Sequence, residues 1–226
     1  NEGRVAVPDD RLQTIARIGG SAKIIETQLS FVDIAGLVRG ASKGEGLGNQ
    51  FLANIREVDA IAHVLRCFED GDVTHVEGRV DPVADAETID TELMLADLES
   101  IEKRRAGLVR KIKGNDKDAA QQDRLLAAAQ EAIENGKPAR TVEVDADDAK
   151  AWRMLQLLTT KPVLYVCNVG ESEAAEGNAL SAKVAEMAAA QGNSHVVISA
   201  QIEEEISQLE PEEAQMFLFI RQQPHA

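Results

Sequence analysis

The run Phe31-Val32-Asp33-Ile34-Ala35-Gly36 carries the sharpest chemical signal in the chain. An apolar strand that ends in Asp and then Gly sets a carboxylate at the carboxyl edge of a sheet, where open α/β sheets bind ligands. A carboxylate there can hold Mg²⁺ through water, and the Gly36 amide can face the terminal phosphate of a nucleotide. Asp-x-x-Gly alone also fits an aspartate that caps the next turn. The following residues, Gly40-Ala41-Ser42-Lys43-Gly44-Glu45-Gly46-Leu47-Gly48, are glycine-rich enough to reorganise around a phosphate. No Gly-Lys-Ser/Thr ends this stretch, so it reads as a switch loop rather than as a phosphate cradle.

Composition bounds what can surround these residues. The 226 residues are 44% hydrophobic and 28% charged, enough for one α/β domain with a modest insertion. Aromatics are only 3%, so the core must be built from Ala, Leu, Val and Ile. No apolar run approaches the roughly 18 residues of a membrane helix and no secretory signal opens the chain, so a cytoplasmic protein without a membrane partner is expected. A net charge of −15 argues against a general nucleic-acid binder, and no DNA partner is expected. Cys67 and Cys167 lie in apolar runs and read as buried free thiols. The four histidines are scattered, without the spacing of a zinc site.

The elements that must position the chemistry alternate. Strand-like runs cover 4–7, 27–34, 60–68, 162–167 and 195–199, with helical patterns around 51–58 and 180–191. Such alternation predicts a mostly parallel, doubly wound sheet. His63, inside the third run, reads as a structural histidine. The middle differs: 87–113 is helical, with Met94, Leu98, Ile101, Leu108 and Ile112 close to a heptad seam and Arg105 in its missing position. Gly114-Asn115-Asp116 breaks it, and a second helix over 117–135 places Leu126, Ala129 and Ile133 inward before Gly136. The two make an antiparallel hairpin, read as an insertion over 87–155 between two parts of one α/β domain, 1–86 and 156–226. Lys103, Arg104, Arg105, Arg110, Lys111, Lys113 and Lys117 gather near its tip in an otherwise acidic chain. They fit a solvated helix end or a basic prong for RNA phosphate, with Arg104, Arg110, Lys111 and Lys113 as candidate contacts.

Over 33–52, the residues from Asp33-Ile34-Ala35-Gly36-Leu37-Val38-Arg39-Gly40 to Asn49-Gln50-Phe51-Leu52 resemble the switch II region of Obg-related NTPases. Ile55-Arg56-Glu57 and Arg66-Cys67-Phe68-Glu69 look specifically like the Obg-like ATPase (YchF) branch, and the resemblance runs from about Gly3 to about Glu213. It implies a G-domain-like P-loop NTPase, a ribosome-associated ATP hydrolase that uses Mg²⁺. Asp33 would be the metal residue and Gly36 a nucleotide contact. Asn168-Val169-Gly170-Glu171 occupies the place where GTPases carry Asn-Lys-x-Asp, whose Asp pairs with guanine N1–H and the 2-amino group. In this family the altered motif goes with ATP preference. Asn168, Val169 and Glu171 would then line the base, with Ser199 and Ala200 in the last base-side loop. Leu37 stands where Ras-like proteins orient the attacking water with Gln, and the family's candidate for that task matches His75.

The chain departs from the family at both ends. It carries no Gly-x-x-x-x-Gly-Lys-Ser/Thr, and its last residues, from Met216 to Ala226, do not match the β-rich C-terminal TGS domain that the family has. The expectation is an internal piece, with a sheet incomplete at its N-terminus and weak nucleotide handling of its own. The rival readings are an Obg-type GTPase, and a non-catalytic RNA- or protein-binding module working through the basic hairpin.

Overall fold

The structure is a computed structural model. It describes residues 2–34, 47–69, 80–210 and 212–213, giving backbone alone for 47–50. Along these residues the order is β1 (Glu2–Ala6), α1 (Arg11–Gly19), β2 (Gln28–Val32), α2 (Leu47–Glu57), β3 (Ile61–Arg66), α3 (Pro82–Lys113), α4 (Lys117–Glu134), α5 (Ala149–Met154), β4 (Val163–Asn168), α6 (Ala179–Ala190), β5 (Ser194–Ile198) and α7 (Ala200–Ser207). The chain divides into two units, 1–37 and 38–226.

In the first unit β1 and β2 pair antiparallel, with Gly3 opposite Phe31. The short helix α1 stops at Gly20, whose φ of 62° is the left-handed conformation glycine adopts without cost. In the second unit β3, β4 and β5 form a parallel sheet in that order. Its register runs Ile61 opposite Val163 and Leu164 opposite Ser194. The α/β expectation therefore holds, as an antiparallel pair and a parallel trio among the described residues.

Period-two alternation fixes which side of the parallel sheet is buried. Leu65, Cys67, Val163, Tyr165 and Cys167 point to one side and form a core with Ala86 of α3 and Val184 and Ala188 of α6. A second core joins α3 to α4 through Ile101, Leu108, Leu126, Ala129 and Ile133, with Met94, Leu98 and Ile112 packed against it. The heptad reading of α3 thus finds its partner. Arg105, the gap in that seam, reaches across instead: its Nε donates to Asp123 Oδ1 at 2.9 Å and its Nη1 to Gln130 Oε1 at 2.7 Å. The helix begins five residues earlier than the sequence pattern suggests. Pro82 takes the first turn and the Asp81 carboxylate accepts from the Ala84 amide at 3.2 Å, a capped start.

Two polar contacts bind the hairpin to the sheet. Asp97 is 1% exposed, and its carboxylate accepts from the amides of Leu158 and Thr159, each at 2.8 Å, and from Thr159 Oγ1 at 2.7 Å. Farther along α3, Arg104 Nη1 donates to the Leu155 carbonyl at 2.7 Å. The segment leading into β4 is thereby held against α3 rather than left as free loop. A buried network completes the join. Arg140, just past α4, pairs with Asp90 of α3 at 3.2 Å, while the Tyr165 hydroxyl of β4 donates to Gln191 at 2.8 Å.

Replacing Asp97 with Asn keeps the size but puts an NH₂ against backbone N–H donors, so stability is expected to fall by about 2 kcal/mol. Thr159→Val, which removes one hydroxyl bond, should cost about 1 kcal/mol. Urea midpoints of the two variants check both values. His63 adds a pH dependence. Burial lowers its pKa below the ordinary 6.5, with Asp90 and Asp85 opposing the shift. The unfolded chain therefore binds that proton more readily, and His63 contributes stability that is full above 6.5 and lost as the pH falls through the lowered folded value. The urea midpoint of His63→Gln should vary less between pH 7 and pH 5 than that of the unchanged chain.

Candidate functional site

The carboxyl end of the parallel sheet is built by hydrogen bonds that outlast the strands. The Cys67 amide donates to the Asn168 carbonyl at 2.7 Å, and the Val169 amide to the Ile198 carbonyl at 2.9 Å. The ladder thus runs one residue past β3 and one past β4 before the chains turn away. Three connecting segments splay from this edge: 67–69 after β3, 169–178 between β4 and α6, and 199–201 after β5. They enclose a cleft of about 870 Å³ lined by Cys67, Phe68, Glu69, Asn168, Val169, Gly170, Ser172, Glu173, Asn178, Ala179, Leu180, Ser199 and Gln201. Its size and mixed lining suit a planar heterocycle.

Asn168, the last residue of β4, spends its side-chain oxygen on the Ala200 amide at 2.9 Å. That bond fixes which end of the amide is which, and it pins the loop after β5 to the end of β4. Among the described residues the Nδ2 group has no protein partner, so its two hydrogens remain for a ligand. Val169 is 2% exposed and supplies an apolar floor. On the opposite wall Arg66 lies over the Phe68 ring at 4.8 Å and donates from Nε to the Phe68 carbonyl at 3.0 Å, which holds that aromatic residue in place.

The first turn of α6 is the third wall. Asn178 caps it by accepting from the amides of Leu180 and Ser181, each at 3.0 Å, while Ser181 Oγ accepts from the Asn178 amide at 2.8 Å. This reciprocal box needs the residue before it to be glycine. Gly177 has a φ of 75°, and a Cβ there would sit 2.6 Å from Ser181 Oγ. The cleft holds no activated thiol. Contact with the Cys167 thiol and burial push the Cys67 thiol up, so it stays protonated.

Among the residues singled out from sequence, Asn168, Val169 and Ser199 line this one cleft, and Ala200 borders it through its amide. Glu171 opens the short 3₁₀ turn Glu171–Glu173 beside the cleft and is not one of its lining residues. Asp33 follows β2 in the other unit, with an exposed side chain. Gly36 and His75 lie outside the described residues. Of the basic candidates, Arg110, Lys111 and Lys113 are exposed on the last turn of α3, whereas Arg104 is half-buried and committed to Leu155. Sequence reasoning missed the parts that Asn178, Glu173 and Leu180 play. An Asn one residue before a helical run is a cap signal, and it was the clue available.

Over 220 residues, 96% of this chain, it is 51% identical to the ribosome-binding ATPase YchF of Bacillus subtilis. Over most of its length the chain is thus similar to YchF proteins. It is also 46% identical over 218 residues to the ribosome-binding ATPase YchF of Haemophilus influenzae. A model of a family described as 50S ribosome-binding GTPases matches residues 1–97. Among solved structures, the YchF GTPase of Schizosaccharomyces pombe superposes with a TM-score of 0.79 at 33% identity, covering 95% of this chain and 59% of that one. The chain spans about 60% of the length of the bacterial YchF relatives it matches. These relatives are named ATPases in the two bacteria and a GTPase in Schizosaccharomyces pombe.

Proposed function

We propose that this chain carries the base-selecting part of a Mg²⁺-dependent ATPase that acts as a nucleotide-driven switch on the ribosome. The observation that carries the reading is the committed geometry of Asn168. Its oxygen is spent on Ala200, so it offers donors alone. A purine ring nitrogen accepts from such a donor, with the ring lying over Val169. Guanine discrimination needs more, namely a carboxylate that takes two hydrogens from the base. Glu171, one methylene longer than Asp, begins a tight 3₁₀ turn beside the cleft rather than on its wall. Losing that bidentate contact removes roughly 1.5–3 kcal/mol per charged bond, enough to abolish a preference for guanine.

The rest of the mechanism follows from residue chemistry. The reaction is in-line attack of water on the γ-phosphate. Asp33 offers one exposed carboxylate at the carboxyl end of β2, which suits Mg²⁺, an ion that keeps most of its waters and takes phosphate oxygens as its other ligands. Bound there, the ion would neutralise charge developing on the phosphate oxygens. Gly36 is assigned, by the resemblance of its motif, to contact the γ-phosphate. Leu37 cannot hydrogen-bond water, and the resemblance to the family assigns its orientation to His75. The sequence holds no Gly-x-x-x-x-Gly-Lys-Ser/Thr, and the amides and lysine of such a loop are to come from outside these 226 residues. Arg110, Lys111 and Lys113 project from the hairpin tip and form the contact to ribosomal RNA.

The base reading is tested by letting ATP and GTP compete for a fluorescent adenine nucleotide, on this chain extended N-terminally by a relative's phosphate-binding loop. ATP is expected to win by about tenfold or more, and Asp33→Ala to remove the Mg²⁺ dependence of binding. GTP winning would overturn the role given to Glu171. For the hairpin, changing Arg110, Lys111 and Lys113 to Glu should weaken RNA binding and flatten its salt dependence by about 0.7–0.9 in log–log slope per lost phosphate contact. Nucleotide affinity should not move, and an unchanged salt slope would remove the hairpin from the RNA contact.

A further inference from the structure

We infer that Asn178 is the positioning residue that sets the width of the base cleft, through a bridge between its two walls. The inference rests on reading the cleft as a nucleotide-base site. Both hydrogens of the Asn178 side-chain amide are committed: Nδ2 donates to the Cys67 carbonyl at 2.7 Å and to Glu173 Oε2 at 2.8 Å. Cys67 and Phe68 belong to the segment after β3, and Glu173 belongs to the segment after β4, so the two bonds span the cleft mouth. The side-chain oxygen is committed too, to the amides of Leu180 and Ser181. One small side chain therefore fixes the end of β3, the turn after Gly170 and the first turn of α6 with respect to one another.

Every hydrogen-bonding group of that amide is satisfied within the protein, so Asn178 has none left for a ligand. Its effect on affinity must come through preorganisation. With the bridge intact the base enters a slot of fixed width. Without it, part of the binding free energy goes into ordering Phe68 and the segment 170–173. Aspartate separates this role from capping. It caps a helix as well as asparagine does, since both accept from the same amides. It cannot donate to the Cys67 carbonyl, and it sets a second carboxylate against Glu173.

The test uses the same chain extended N-terminally by a relative's phosphate-binding loop, with ATP as the probe, affinity read by calorimetry and melting temperature recorded alongside. Without further substitution, as the unchanged chain, it is expected to bind ATP. Asn178→Asp is expected to weaken ATP binding about tenfold while the melting temperature changes by no more than about 4 °C. Glu173→Gln alone, which leaves an oxygen for Nδ2 to reach, should stay within about threefold of the unchanged chain. The double change Asn178→Asp with Glu173→Gln reverses donor and acceptor across the Glu173 bond but leaves the Cys67 carbonyl without its donor, so it should recover only a small part of the loss. A helix-capping role alone would give no loss in the first variant. If Asn178→Asp binds like the unchanged chain, or the double variant recovers all of the loss, the bridge to Cys67 is overturned while the base-site reading stands. If the unchanged chain binds no ATP, the base-site reading falls, and the bridge with it.

Discussion

β4 is hydrogen-bonded on both sides along its length, and its ladder continues through Cys67 to Asn168 and through Val169 to Ile198. This constraint places the cleft. A parallel strand paired on both edges cannot slip by one residue without turning Tyr165 and Cys167 out of the core. The register therefore dictates that Asn168 emerges at the sheet edge just where the segments after β3 and β5 turn away. Chemistry at this edge inherits its precision from a core that has no part in it. Tyr165 shows how firmly the interior is fixed: burial raises its hydroxyl to about 12, so it remains a neutral donor to Gln191 across the working pH range.

The hairpin is attached to the same strand from the other end. Asp97 of α3 accepts from residues 158 and 159, four residues before β4 begins. Burial raises the pKa of this carboxyl, and the amide and hydroxyl donors oppose that rise. The arrangement is a carboxylate satisfied by neutral donors, with the positive charge of Arg56 adding a smaller contribution that makes the buried charge tolerable. A displacement of α3 along its axis would pull on the lead to β4 directly. The exposed cations at the tip and the cleft at the sheet edge thus lie on one helix and one strand that these hydrogen bonds join.

What could be read from sequence depended on how local its cause was. The three parallel strands were legible because each is a short apolar run, and the hairpin because its apolar spacing persists over many turns. Helices α1 and α7 were not anticipated: α7 has little apolar material beyond Ile202 and Ile206, too short a pattern to stand out. The early start of α3 was written in Asp81-Pro82, a cap and first-turn pair whose signal lies outside the heptad that drew attention. The cleft was half legible. Asn168, Val169, Ser199 and Ala200 follow apolar strands, where a ligand edge is expected. Asn178 showed only a capping signal, because its meeting with Cys67, 111 residues away, exists only once β3 lies beside β4. Arg104 and Arg110 look alike in sequence, yet burial commits one to a carbonyl and leaves the other in water.

The disagreement between the names of the relatives, ATPase for two and GTPase for the third, has a physical counterpart in the cleft. Val169 holds its place through a backbone bond to Ile198 and complete burial, which any apolar side chain could provide. In the proposed site Asn168 offers its donors to a feature that both purines share, and neither residue would distinguish adenine from guanine. Among the described residues the carboxylates at this edge are Glu69 and those of the turn 171–173, and the turn is where selectivity is proposed to lie. In that turn Glu173 is tied to Asn178. One oxygen of that carboxylate is held in a structural bond, so a two-oxygen pairing with guanine N1–H and the 2-amino group would have to give up the bond to Asn178. In the proposed site, a weak hold on guanine then follows from how the cleft is held open.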